Sequence, residues 1–385
     1  MKTWLFLLTF PFLLVSCADT SPLQTQQLVL NDQAFTAPAQ TIDAEQVFAV
    51  TPEMKRYLAE NIRLQGGKKT LARKLFEALS THGQIKLEYD AEITRTAAQA
   101  FASRSGNCLS LVIMTAALAK ELGLDVEYQN VLLQESWSRN NDLYFASGHV
   151  NIIIGSRPNI SLDRDGDRQA LLIDFLPPDE LRGQKSELID ENTVLAMYMN
   201  NRAAESLAAH DMNAAYWYAR EAVRRAPRLI IAYNTLGVIY RQHGDFALAE
   251  KVFKQILQRE PDNTLALSNL IEVLRKSGAA GEADRYALRL EHLQPYPPFY
   301  YFNRGLAAMQ KGEYKKAKML FEKEIQRDPY YDEYHFWLAL AYLRLGEIQQ
   351  AKEQLVLAQK NSTTHQTLKL YTSKLERIKA LSRQQ

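Results

Sequence analysis

Pro227, Pro261, Pro295 and Pro329 stand 34 residues apart, and so do Gly244, Gly278, Gly312 and Gly346. Ala215, Ala249, Ala283, Ala317 and Ala351 keep the same interval. A fixed period of this length means that each unit is one supersecondary element, unable to bury its apolar face alone and therefore stacked on its neighbours. The residue types say what each position does. Alanine stands where two antiparallel helices touch, glycine where the turn between them needs positive φ, and proline where the second helix must stop. Five units fit between residues 196 and 363. Within the remaining residues 364–385, Leu368 to Ile378 predicts a further helix that covers the last apolar face, followed by a tail.

The second unit carries Tyr233, Leu236, Gly237, Tyr240, Ala249, Phe253 and Pro261, a pattern that resembles the tetratricopeptide repeat. The resemblance implies an all-α solenoid whose concave groove binds a protein or peptide partner. Unit one has His210-Asp211 in place of the turn glycine, and unit three has Ile271 where Gly237 stands in unit two. Aromatic residues crowd the last two units and read mostly as helix packing. Phe302 and Phe336, at equivalent positions on first helices, are candidates for lining the groove.

The other end of the chain reads as an export signal. Lys2 supplies charge, Trp4 to Val15 is almost wholly apolar but too short to span a bilayer, and Ser16-Cys17 follows. Leu14-Val15-Ser16-Cys17 resembles the lipobox of bacterial lipoproteins. That resemblance implies residues 1–16 as signal peptide, Cys17 as the lipidated N-terminus, and, with Ala18 next, an outer membrane facing the periplasm of a Gram-negative cell. Residues 17–45 read as a flexible tether of roughly 30 Å root-mean-square span. Formal net charge is +2 without a long run of like charge, which gives no support to a nucleic-acid partner.

With Cys17 acylated, Cys108 is the single free thiol of an exported chain that holds two cysteines. It closes Arg104-Ser105-Gly106-Asn107-Cys108 at the head of a helix predicted over Leu109 to Leu122, with Asn107 as its cap. Thr51-Pro52 opens an earlier helix, and Thr94 to Ser103 reads as another. Val126–Leu133, His149–Ile154 and Ala170–Leu176 read as strands, so residues 46–190 are expected to form an α+β domain. Asp174 is a charged residue set in an apolar strand and demands a partner.

Thr96-Ala97, Arg104 to Ser110, Leu122-Gly123-Leu124, Gly148-His149-Val150 and Leu172-Ile173-Asp174 together resemble the transglutaminase-like superfamily, papain-like cysteine enzymes with catalytic order Cys, His, Asp. The resemblance implies Cys108 as nucleophile, His149 as general base and acid, and Asp174 as the carboxylate that orients the imidazole, with no cofactor. The chain has Asn151-Ile152 and Asp174-Phe175 where many relatives have an aromatic residue after the histidine and Pro or Thr after the aspartate. The backbone N–H of Cys108, with Gln129 or Gln134, is the candidate oxyanion donor. Plainer readings stand beside these: Cys108 as a core hydrophobe, His149 as a structural residue, Asp174 paired with Arg104 or Arg168. Asp163 to Asp167 has the beginning of a calcium loop but reads better as a polar turn. The chain is thus expected to be a lipid-anchored envelope enzyme acting on amide bonds by hydrolysis or acyl transfer. Its rival is a non-catalytic envelope scaffold that works through the repeats.

Overall fold

The computed structural model describes residues 30–38, 42–62, 68–79, 87–91, 93–140, 143–155, 170–175 and 185–381. The expected signal peptide, Cys17, the Asp163–Asp167 turn and the side chain of Gln134 lie outside the described residues.

The N-terminal domain starts with α1 (Pro52–Tyr57), where Thr51 caps the helix by accepting from the Met54 N–H at 3.3 Å and Pro52 fills its first position. α2 covers Lys68–Leu79. α3 (Ala97–Ser103) opens with a reciprocal cap between Thr96 and Gln99. α4 (Cys108–Glu121) is buried on all sides from Leu109 to Ala119, as a helix at the centre of a domain must be. Two short strands, β1 (Glu88–Tyr89) and β2 (Ser105–Gly106), pair in parallel just ahead of α4. The main sheet has β3 (Val126–Asn140), β4 (Leu143–Ile154), β5 (Leu171–Ile173) and β6 (Lys185–Ile189) in the order β5-β4-β3-β6, all antiparallel.

Two expectations need correction here. The β3–β4 hairpin runs well past the strands read from the sequence, so His149 sits inside β4 and not at its start. β6 gave no strand signal because Lys-Ser-Glu-Leu-Ile is an exposed edge with no buried face to pattern it.

Five helix pairs follow, and each second helix packs on its first: α5 (Glu191–Ala208) with α6 (Met212–Arg225), α7 (Ile230–His243) with α8 (Phe246–Arg259), α9 (Thr264–Lys276) with α10 (Ala280–Leu293), α11 (Tyr300–Gln310) with α12 (Tyr314–Arg327), and α13 (Asp332–Leu345) with α14 (Ile348–Asn361). Within a pair, Gly237 gives room to Phe253: a Cβ there would lie 2.6 Å from the ring. Unit three exchanges bulk and gap, with Ile271 and Ala287 at the equivalent places. Gly244 ends α7 in the left-handed region at φ 95°, and His210 takes the same conformation at φ 62° in the unit that lacks the glycine. α15 (His365–Leu381) caps the array by burying Tyr371, Leu375 and Ile378. The domain and the array meet where Lys120 and Tyr128 both bond the Glu191 carboxylate at the head of α5.

Residues 31–38 of the expected tether are seated on the first repeat. Phe35 is buried and stacks on Tyr216 with centroids 4.0 Å apart. Arg220 donates from Nε and Nη2 to the Asp32 carboxylate, each at 2.8 Å, and the Tyr216 hydroxyl donates to Asp32 at 2.7 Å. The Trp217 indole donates to the Thr36 carbonyl at 2.7 Å. A polar segment with one aromatic reads as linker, but these contacts give it a fixed seat on the first repeat. Phe35→Ala together with Asp32→Ala should therefore speed proteolytic cleavage near residues 30–40 about tenfold or more under native conditions, since both anchors are lost. An unchanged cleavage rate would contradict the docking.

Candidate functional site

Cys108 is the first residue of α4, half-buried and a free thiol. Asn107 caps that helix, its Oδ1 accepting from the Ser110 N–H at 2.9 Å, so the sulfur stands at the positive end of the helix dipole. α4 packs against β4, and β4 carries His149.

The antiparallel ladder brings in the acid. Ile152 pairs with Ile173, so one step further along puts Asp174 opposite Asn151, two residues and one strand face from His149. The side chains meet accordingly: His149 Nε2 lies 2.7 Å from Asp174 Oδ1, and the Asn151 amide donates to Asp174 Oδ2 at 3.2 Å. His149 is only 2% exposed. With Nε2 committed to Asp174, the buried Nδ1 is left with no formed hydrogen bond, and Cys108 is among the groups that interact with the imidazole.

Burial pulls the His149 imidazole down, but the hydrogen bond to Asp174, the nearness of the Cys108 sulfur and the Asp174 charge outweigh it and lift the pKa to about 9. The folded protein thus holds a proton that an ordinary imidazole near 6.5 would release. The resulting stability is complete below about pH 6.5 and is lost as pH rises through about 9. Denaturant unfolding should show wild type more stable than Asp174→Asn by a margin that is largest near pH 6 and shrinks by about pH 9.5. A margin independent of pH would contradict the ion pair.

The three expected residues therefore converge, and Asp174 is partnered by His149 and Asn151, not by Arg104. Arg104 instead ends α3 in the left-handed region at φ 54°. Gln129 pairs with Asn151 on the neighbouring strand and so shares its sheet face. Asn151 was missed as a functional residue, although its place two residues after His149 on the same face was the available signal. Of the two groove candidates, Phe302 needs correction. Phe302 is fully buried against Phe321 and Tyr334, and Phe336 lies half-buried under the capping helix with its ring 5.1 Å from Tyr371. The apolar area of Phe302 is satisfied between helices, which withdraws it from any ligand. Among the described residues no helix is long and apolar enough to cross a membrane, and no group of His, Cys, Asp and Glu could hold a metal ion.

The matching family models fall on the helical array. The tetratricopeptide repeat profile matches residues 308–368, and that of the TT21 fifth ARM repeats domain matches 236–317. The C-terminal part of the chain is a run of tetratricopeptide repeats, an array of the kind that mediates protein–protein interaction. The chain is 31% identical over 182 residues to cellulose synthase operon protein C of Pseudomonas fluorescens, covering 45% of this chain and 14% of that protein. It is 27% identical over 128 residues to a TPR repeat-containing protein of Pseudomonas aeruginosa, covering 33% of this chain and 22% of the relative. It thus spans under a quarter of the length of either. Among solved structures, a thermophilic TPR protein of Thermus thermophilus is similar at 20% identity and a TM-score of 0.30, over 46% of this chain and 97% of its own. YrrB, a TPR protein with an unusual peptide-binding site, is similar at 20% identity and 0.25, over 47% of this chain and 92% of its own.

Proposed function

We propose that this chain is a cysteine-dependent enzyme of the transglutaminase-like kind, acting on amide bonds of a protein or peptide that the repeat array holds. The observation that carries the reading is buried His149, bonded to Asp174 on one ring nitrogen and neighboured by Cys108. In the proposed reaction the Cys108 thiolate attacks a carboxamide or peptide carbonyl, the S–C bond forms and the C–N bond breaks. The His149 imidazolium gives its proton to the leaving amine. Water, or a second amine, then resolves the thioester with His149 as base, which yields hydrolysis or transamidation. Asn151 and Asp174 keep the imidazole in the required tautomer. The Cys108 backbone N–H at the head of α4 supplies an oxyanion donor.

We also propose that lipidated Cys17 anchors the protein to the outer membrane, facing the periplasm; Leu14-Val15-Ser16-Cys17 supports this. Palmitate-type metabolic labelling that is lost in Cys17→Ala tests it.

A second reading, an envelope scaffold whose N-terminal domain only binds, is favoured by the repeat families that match residues 236–317 and 308–368. Intact-mass analysis after incubation with envelope proteins separates the two. An adduct on Cys108 that hydroxylamine removes, absent from Cys108→Ala, is the enzyme's result. No adduct, with partner binding intact, is the scaffold's.

A further inference from the structure

The residues flanking position 92, Glu88–Ala91 and Ile93–Thr96, touch the nucleophile's loop on one side and both ends of the repeat array on the other. Toward the loop, the Glu88 N–H donates to the Arg104 carbonyl at 2.9 Å and the Asp90 N–H to the Gly106 carbonyl at 3.0 Å. The Arg95 N–H donates to Ser110 Oγ at 2.8 Å. Most directly, the Asn107 amide donates to Thr94 Oγ1 at 2.8 Å, while Asn107 Oδ1 accepts from both the N–H and the hydroxyl of Ser110. Thr94 thereby holds the cap of α4, the residue next to Cys108.

Toward the array, the Thr94 N–H donates to Glu205 Oε1 of α5 at 2.7 Å. Arg202 holds the other oxygen of Glu205 at 2.6 Å. At the far end of the array, the Ala91 N–H donates to the Thr363 carbonyl at 2.9 Å, between α14 and α15, and Glu88 lies 3.8 Å from His365. The first repeat and the end of the fifth are closed through one short segment. A change in the curvature of the array must break one of these bonds or move Thr94, and Thr94 is bonded to Asn107.

We propose that Glu205 is a positioning residue for Cys108, acting through Thr94 and Asn107, so that the conformation of the repeat array sets the reactivity of the nucleophile. The proposal rests on the reading of Cys108 as a nucleophile. It is tested on the full chain by the rate of Cys108 alkylation with iodoacetamide near neutral pH, with circular dichroism and thermal melting reporting the fold. Thr94→Val, which keeps the backbone bond to Glu205 but removes the acceptor for Asn107, should slow alkylation about fivefold. Glu205→Ala should do the same, and the double variant should be no slower than the slower single one. Glu205→Gln keeps the acceptor for the Thr94 N–H and should restore the rate to within about twofold. Should Glu205→Ala unfold the first repeat, Thr94→Val carries the test.

Wild-type rates in Thr94→Val, or Glu205→Gln as slow as Glu205→Ala, would overturn the positioning role. If His149→Ala also leaves the rate unchanged, the nucleophile reading itself has failed. A His149-dependent rate that ignores Thr94 and Glu205 removes only the coupling.

Discussion

His149→Ala is expected to slow alkylation of Cys108 at neutral pH by about 10²-fold or more, the scale on which a positioned base contributes. The imidazole takes the thiol proton and stays beside the sulfur as its counter-charge. Alanine leaves the sulfur with neither. Asp174→Ala should lower the rate less, because the packing around the buried ring in β4 still holds it, while burial then drives the imidazole to its neutral form. Asp174→Asn should lie between, since the amide still accepts one bond but carries no charge. The same order is expected for turnover of an amide substrate, with larger ratios, because the leaving amine also needs the imidazolium proton. Equal alkylation rates in wild type and His149→Ala would make Cys108 an unassisted thiol.

The second large effect is structural. Phe253→Ala should destabilise the array by about 3–5 kcal/mol, because the ring is fully buried and lies so close over Gly237 that no neighbour can fill the space it leaves. Phe321, over Gly305 with a Cβ distance of 2.5 Å, should behave alike. Gly237→Ala is the converse case, with the added methyl driven into the Phe253 ring at a cost of about 1–3 kcal/mol. Denaturant unfolding monitored by circular dichroism measures all three. Solenoid stability is a sum of neighbouring terms, so the Phe253 variant should also split the transition, units one and two melting ahead of the rest. A single transition with an unchanged midpoint would show that this contact does not hold the units together.

The array was legible because each unit solves the same steric problem with the same residues. Proline, glycine and alanine recur wherever a helix must stop, turn or be approached closely, and substitutions such as His210 for glycine or Ile271 with Ala287 shift bulk without changing the count. The site was legible for a related reason. A thiol behind a capping asparagine, a histidine inside an apolar strand and an acid beside another each break the local pattern, and each needed a partner. What stayed hidden depends on distant contacts with no period of their own. The seat of Asp32 and Phe35 on Tyr216 and Arg220, the edge strand β6 and the bridging of Glu205, Thr94 and Asn107 are all pairings of residues that look ordinary in sequence. Phe302 went astray differently: an equivalent position identified it, but equivalence does not say whether a face meets solvent or the next helix.

The central claim is that one imidazole serves both the sulfur and the carboxylate, and nitrogen-resolved NMR titration of His149 measures it. Wild type should titrate near pH 9, and Asp174→Asn combined with Cys108→Ala should fall to or below 6.5, with burial alone left to act. A wild-type His149 that titrates at or below 6.5 would contradict the account.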